Sequence, residues 1–216
     1  MALAKPLVAV LAALAIVSAA LAAGPIVRKN AADEALARST VVQRADLGGT
    51  GWKGKVTAVA KPEPLSCPGF SPKQSDLVVT GAAASEWQNQ ATNISSEADI
   101  LQTAGMVRLD WSRTIRPPLV KCLAKAFTGS SGGTTVTAVS AQKIAFPQVA
   151  PLTAAYRVVA EVSDSGQTVR VVSDVILLGK GRSEATLTFL GPEAGKAAMV
   201  AAERRIARIV ASRLRS

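Results

Sequence analysis

Histidine is absent from this chain of 216 residues, and cysteine occurs only twice. Without an imidazole, neither a Ser-His-Asp triad nor a Cys-His nucleophile can be built. Two thiols alone also fall short of the four Cys or His ligands that a structural zinc site uses. We therefore expect no metal site and no histidine-dependent catalysis.

Long apolar runs are lacking as well, apart from one at the start of the chain. The stretch "MALAKPLVAVLAALAIVSAALAAGP" has a single charge, Lys5, and small residues at Ala20 and Ala22 that fit an A-x-A cleavage rule. This pattern predicts a signal peptide over residues 1–22, and hence a protein that is secreted or lies in the extracytoplasmic cell envelope. An uncleaved anchor, at the short end for a membrane span, is the open alternative.

The two cysteines, Cys67 and Cys122, are interpreted in that setting. Oxidising compartments favour disulfides, and these two thiols are the only pair that the chain offers. We predict a bond between them, which would stabilise the fold by about 4 kcal/mol before any strain is counted. Its expected role is structural: it ties the segment before the first strand to a helix.

Acidic residues are outnumbered by basic ones, 15 to 25, which gives a net charge of +10. The excess is greatest in the C-terminal stretch "GKAAMVAAERRIARIVASRLRS". On a helical wheel its apolar residues share one side: Met199, Ile206, Ile209, Val210 and Leu214. Arginines face away from that side: Arg204, Arg205, Arg208 and Arg215. We predict a helix docked on a sheet with its arginines in water; binding of those arginines to anionic lipid or wall polymers is the alternative.

Along the chain, we expect residues 23–46 to form a flexible leader and residues 47–216 to form a single domain. The run "DLVVTG" predicts a short strand that ends in a turn. A helix is predicted from Ser96 as its N-cap, because apolar residues follow at helical spacing up to Trp111. Pro118 then opens a second helix, which extends to Phe127.

From Val136 onward the pattern predicts strands: "VTAVSAQKIAF", "LTAAYRVVAEV", "TVRVVSDVILL" and "SEATLTFL". The last two separators, "SDSGQ" and "GKGR", are short turns that contain glycine. Strands joined in this way are antiparallel neighbours, so a four-stranded meander is expected, with the terminal helix packed on it. Helices separated from a mainly antiparallel sheet define an α+β fold.

The order of these parts resembles a known group of proteins. The block "SEADILQTAGMVRLDWSRTIRPPLVKCLAKAF" precedes strands with "AYRVV" and "GRSEATLTF", and then an Arg-rich helix. This resembles actinobacterial secreted proteins akin to the extracellular sensor domain of mycobacterial serine/threonine kinases and to related small envelope lipoproteins. The resemblance implies a sheet flanked by helices, with a cleft that takes a ligand. The chain departs from it in having no kinase domain, no lipidated cysteine and one possible disulfide instead of two, so a free-standing role is expected.

One acidic residue, Asp174, is a candidate for contacting a ligand in the cleft. Asp174 shares a predicted strand face with apolar residues, where a carboxylate is costly unless it is paired. Arg157 or Arg182 on neighbouring strands could pair with it. A structural ion pair and a ligand-contacting role both stay open for these three residues.

Motifs for catalysis and cofactors are weak by comparison. "SAQK" matches the S-x-x-K pattern of a serine nucleophile with a lysine base, but Ser140 and Lys143 lie in a strand-like run and would point to opposite faces. The glycines of "LGGTGWKGK" lack the GK[ST] sequence of a phosphate-binding loop. We expect no catalytic residues and no cofactor.

Two functions of different classes follow from these observations. The favoured one is a non-catalytic, extracytoplasmic binding or sensor-like module, whose cleft takes a small amphiphile or an anionic envelope component and which has no nucleic-acid partner. The alternative is a cell-envelope hydrolase that works through carboxylates. That alternative needs a carboxylate pair close together in a cleft, and no acidic pair in the sequence lies on a convincing motif.

Overall fold

The computed structural model describes residues 24–63, 65–90, 92–131 and 133–215. The signal peptide predicted over residues 1–22 lies outside these ranges. Within them the chain forms nine strands and four α-helices. No helix in the described ranges has the length and apolar character needed to span a membrane.

The strands and helices have the following bounds. The strands are β1 (Ile26–Val27), β2 (Lys53–Ala58), β3 (Val78–Asn89), β4 (Thr92–Leu101), β5 (Gly129–Ser131), β6 (Thr134–Ile144), β7 (Leu152–Asp164), β8 (Gln167–Lys180) and β9 (Ser183–Pro192). The helices are α1 (Ala31–Thr40), α2 (Ala104–Thr114), α3 (Pro118–Ala126) and α4 (Lys196–Arg213), with short 3-10 turns at Arg44–Asp46 and Glu193–Gly195.

All nine strands belong to one sheet, in the order β1-β3-β4-β9-β8-β7-β6-β5, with β2 paired to β3 beside β1. Every pair is antiparallel except β1 with β3. The predicted meander is confirmed, because β6 to β9 are consecutive neighbours. Ser165 and Gly166 both have positive φ angles, 47° and 79°, as a two-residue hairpin turn between β7 and β8 requires. The α+β class is confirmed as well.

The main core lies between one face of the sheet and helices α1 and α4. Helix α4 buries an apolar stripe against β8 and β9, and its members are Met199, Ile206, Val210 and Leu214. The arginines predicted to face water are exposed: Arg204, Arg205, Arg208 and Arg215. The docking predicted for the terminal helix is therefore confirmed.

The opposite face of the sheet carries α2, α3 and the segment around Phe70, which form a smaller core. Pro118 opens α3 as predicted. Cys122 of α3 is fully buried and forms a disulfide with Cys67, with the two Cα atoms 5.6 Å apart. This confirms the predicted bond, which is of the kind found in extracytoplasmic proteins.

The helix predicted from Ser96 is wrong in its first part. That stretch continues β4, in which burial alternates with a period of two through Ile94, Ser96, Ala98 and Ile100. The Ser96 hydroxyl accepts a hydrogen bond from the Val42 amide at 2.8 Å, so a polar residue can face the core. The helix starts later, at α2, where the Thr103 hydroxyl accepts from the Met106 amide at 3.2 Å.

The turn predicted after "DLVVTG" is also wrong, because β3 runs through Gly81 without a break. Glycine is required here for close approach and not for a turn. A Cβ at this position would lie 2.2 Å from the Asp33 carbonyl oxygen of α1. The small residue therefore lets helix α1 approach the sheet.

Residues 24–46 correct the expectation of a flexible leader over residues 23–46. Helix α1 is capped by the Asn30 side chain, which accepts from the Asp33 amide at 2.9 Å. Val41 and Val42 are completely buried in the main core, and the indole of Trp87 donates to the Val42 carbonyl at 2.9 Å. Ala37, Val41 and Val42 thus connect this segment to the main core.

Candidate functional site

A cleft of about 580 Å³ opens on the α2 and α3 face of the sheet. Its floor is formed by β4, β8 and β9, and its sides by α2, α3 and the segment around residues 62–74. Most strand residues of the lining alternate along their strand, as Ser95, Glu97 and Asp99 do on β4, because alternate side chains point to this face. The cleft thus lies on the face opposite to helix α4.

One wall of the cleft is apolar. Helices α2 and α3 and strands β8 and β9 supply its side chains: Trp111, Ile115, Leu119, Leu123, Phe127, Val175, Leu177 and Leu190. Trp111, Ile115 and Phe127 are only partly buried, so they present apolar surface to the cleft. The disulfide at Cys122 holds α3 in the position that forms this wall.

The other wall is acidic. Glu97 and Asp99 project from the same face of β4, and Glu184 of β9 lies directly opposite Asp99 in the ladder. Asp110 reaches the same region from α2. Side chains directly opposite each other in an antiparallel pair are close enough to interact, so these carboxylates form one cluster.

Burial and mutual repulsion raise the pKa values of this cluster. The pKa of Asp99 rises to about 7, mainly through desolvation and then through the charges of Glu97 and Asp110, while Lys29 opposes the shift. The pKa of Glu97 is also raised by desolvation, although its side chain keeps access to water in the cleft. Part of the acidic wall is therefore protonated near neutral pH.

Asp110 and Glu184 form a hydrogen-bonded carboxyl pair. The pKa of Glu184 is well above its usual range, because of desolvation first and then the charge of Asp110. The pKa of Asp110 is raised less, since it accepts hydrogen bonds from Glu184, Thr114 and Gln74. The Gln74 amide donates to Asp110 Oδ1 at 2.8 Å. Glu184 is therefore protonated more readily than a carboxyl group in water, and an opposite charge in the cleft would favour its ionised form.

The residues predicted as cleft residues lie elsewhere. Asp174 is completely buried beneath α4, where Arg157 Nε donates to its Oδ1 at 2.7 Å. Arg182 is not part of this pair; it donates instead to Asp33 of α1 at 2.7 Å. The structure therefore joins Asp174 to Arg157, on the face opposite to the cleft. A ligand contact for these three residues stays a prediction.

The acidic wall was not recognised in the sequence, although part of its signal was present. Glu97 and Asp99 alternate with the buried Ala98 and Ile100, which is the pattern of a strand with one acidic face. Because this stretch was interpreted as helical, that pattern was lost. The pairing of Asp99 with Glu184 depends on the register of two distant strands.

The carboxylates do not form a recognisable metal centre. Across the described ranges, no group of three or more cysteine, aspartate or glutamate side chains has the arrangement to hold a metal ion. What the cluster offers instead is negative charge, proton exchange and hydrogen-bond acceptors next to an apolar surface.

The sequence and the fold were compared with those of known proteins. No protein-family model and no curated protein matches the sequence. The fold is similar to that of the extracellular domain of PknH from Mycobacterium tuberculosis, with 10% sequence identity and a TM-score of 0.44, over 82% of this chain and 95% of that chain.

Proposed function

We propose that this chain is an extracytoplasmic binding module whose cleft takes a small amphiphile. The observation that carries the proposal is the cleft itself, which has an apolar wall and a polar wall within one concave space. Its volume of about 580 Å³ falls in the range of about 300–1,000 Å³ that is usual for small-molecule sites. A ligand with one apolar and one polar end would satisfy both walls.

The energetics of the apolar wall favour such a ligand. Trp111, Ile115 and Phe127 of this wall are partly exposed. Removing apolar surface from water contributes about 25 cal/mol per Å², so an alkyl chain of moderate length placed against this wall gains several kcal/mol before binding costs. The disulfide supports the proposal because it makes one side of the cleft rigid before a ligand arrives.

A variant that fills the cleft tests this proposal. Thr186 lies on the cleft floor and is partly exposed, so Thr186→Trp should block the space with little effect on the core. Thr137→Trp, on the exposed surface of β6 and away from the cleft lining, is the matched control. Native mass spectrometry with an alkyl amphiphile should show a one-to-one complex with the wild type and Thr137→Trp only. Equal binding by Thr186→Trp would contradict the proposal.

A second function, hydrolysis through carboxylates, is favoured by one observation. Glu184 and Asp110 interact, and the pKa of Glu184 is raised well above its usual range; two interacting carboxyl groups of different pKa are what general acid and base catalysis uses. We rank it second because the apolar wall does not match a polar envelope glycan. Release of reducing sugar from cell-wall polysaccharide, lost in Asp110→Asn, would support hydrolysis; no release with the wild type would exclude that substrate.

A further inference from the structure

The cleft differs in charge from the rest of the molecule. The chain has 25 basic and 15 acidic residues, yet the described residues that line the cleft include no lysine or arginine. They include six acidic residues: Glu63, Glu86, Glu97, Asp99, Asp110 and Glu184. This basic protein therefore has acidic side chains concentrated in a partly apolar cleft.

Elsewhere three buried or partly buried aspartates are paired with arginine, whereas Glu203 of α4 is buried without a salt bridge among the described residues. Asp46 lies 2.6 Å from Arg213, Asp33 lies 2.7 Å from Arg182, and Asp174 is paired with Arg157. In the part of the chain that the structure describes, no such salt bridge reaches the acids of the cleft. An opposite charge for these acids can therefore come only from outside the described salt bridges, and the cleft has the volume to hold a ligand.

The unpaired cluster has an energetic cost that a bound cation would remove. Like charges that face each other in a partly desolvated space disfavour ionisation, whereas an opposite charge within about 4–6 Å favours it. Asp99 and Glu184 face each other across the β4–β9 ladder, and Glu97 is two residues away on the same face. A positive group bound beside this part of the ladder would reduce the repulsion between these carboxylates.

The apolar wall is an independent feature that favours an organic cation with an apolar tail over an inorganic cation. A small inorganic cation would leave Trp111, Ile115 and Phe127 in contact with water. A cationic group attached to an apolar tail would cover them, and the Trp111 ring adds a face on which cations bind favourably. One molecule would then contact both the acidic wall and the apolar wall.

Building on the proposed function, we propose that the ligand is a cationic amphiphile. Its organic ammonium group is bound by Glu97, Asp99 and Glu184, and its tail lies along the apolar wall formed by α2 and α3. Asp110 acts as a positioning residue, since its hydrogen bond to Glu184 fixes the orientation of that carboxyl group.

Three amphiphiles with the same alkyl tail test the charge of the ligand. Decylammonium, decyl maltoside and decanoate are titrated into the protein by calorimetry at about pH 8, below the concentrations at which they form micelles. We expect decylammonium to bind at least about tenfold more tightly than the other two. Equal or tighter binding of decyl maltoside or decanoate would overturn the cationic assignment and leave the proposed function intact. If none of the three binds, the proposed function fails as well.

Variants of the acidic wall test which carboxyl groups bind the ammonium group of the ligand. The double variant Asp99→Asn with Glu184→Gln should weaken decylammonium binding about tenfold or more and leave binding of decyl maltoside unchanged. Asp164→Asn, in the hairpin between β7 and β8 and outside the cleft lining, is the control and should bind like the wild type. Loss of affinity for all three amphiphiles in the double variant, or no loss for decylammonium, would overturn the assignment.

Discussion

At the scale of single residues, the most unusual group outside the cleft is Glu203 of α4. It is only 1% exposed, and its Oε1 atom has no hydrogen-bond partner among the described residues. Its pKa is raised by desolvation first and then by the charge of Asp174, whereas Arg157 and Arg204 oppose the shift. Folding therefore favours a protonated Glu203, next to an ion pair that already satisfies Asp174.

This burial predicts that stability falls as pH rises. A carboxyl group whose pKa is raised in the folded state binds a proton that the unfolded chain has lost, so its contribution is complete below the unfolded pKa, near 4.5, and is lost as pH rises through the folded pKa. Glu203→Gln should leave stability at pH 5 nearly unchanged and raise it at pH 9 by about 1–3 kcal/mol relative to the wild type. Urea denaturation at the two pH values measures this.

The wild type is the control for the stability of Glu203→Gln at each pH. Asp99 and Glu184 also have raised pKa values, so the wild type and Glu203→Gln should both lose some stability at high pH. Only the difference between the two proteins reports on Glu203. A difference that is the same at pH 5 and pH 9 would show that Glu203 does not carry the predicted proton.

In the cleft, the raised pKa of Asp99, about 7, predicts that ligand affinity depends on pH. An ammonium group binds the ionised carboxylate, so affinity for decylammonium should increase by several fold between pH 5.5 and 8.5. Asp99→Asn should remove most of this increase, while binding of decyl maltoside should not vary with pH in either protein. Calorimetric titrations at both pH values provide the measurement, and an affinity that decreases with pH would contradict the prediction.

At the scale of elements, the sequence predicted those parts whose pattern is local. The meander was recognisable because each strand is bounded by a short turn, and α4 because one helical face is apolar. Strand β4 was not recognised, since its inward face includes Ser96, which is tolerated only because the distant Val42 amide and Ser85 hydroxyl satisfy it. The acidic wall depends on the same strand and on the β4–β9 register, so it was missed for the same reason.

The docking of α4 gives a prediction that separates packing from charge. Ile206 is completely buried, so Ile206→Ala should lower the free energy of unfolding by about 2–5 kcal/mol. Arg204 and Arg208 are exposed, and their joint reversal to glutamate should have a much smaller effect. Arg205 is left unchanged, because its guanidinium donates to the backbone carbonyls of Asp46 and Leu47. Urea denaturation of the two variants compares the effects, and equal losses would show that exposed charge stabilises α4 as much as packing.

At the scale of the whole molecule, the acidic cleft and the basic surface of α4 lie on opposite sides of the sheet, although the cleft-side helices also carry exposed basic residues such as Arg108 and Lys121. Helix α4 presents exposed basic residues to solvent on one side: Lys196, Arg204, Arg208 and Arg215. The acidic cleft opens on the other side.

The whole fold also depends on the segment before residue 47. Val41 and Val42 are completely buried in the main core, and β1 pairs with β3 at the edge of the sheet. Without residues 24–46, the core face of β3 and β4 around Trp87 and Ile94 would be exposed to water. We therefore expect a protein of residues 23–216 to unfold cooperatively in urea and one of residues 47–216 to be markedly less stable or unfolded.

Circular dichroism and limited proteolysis of the two proteins test this dependence. A matched variant in the longer protein, Val42→Ala, removes part of the same contact without shortening the chain and should cost about 1–3 kcal/mol. If residues 47–216 fold with unchanged stability, the domain begins at residue 47 and the preceding segment is an accessory. If both the shortened protein and Val42→Ala lose stability, residues 24–46 are part of the domain, because one continuous core then spans α1, the sheet and α4.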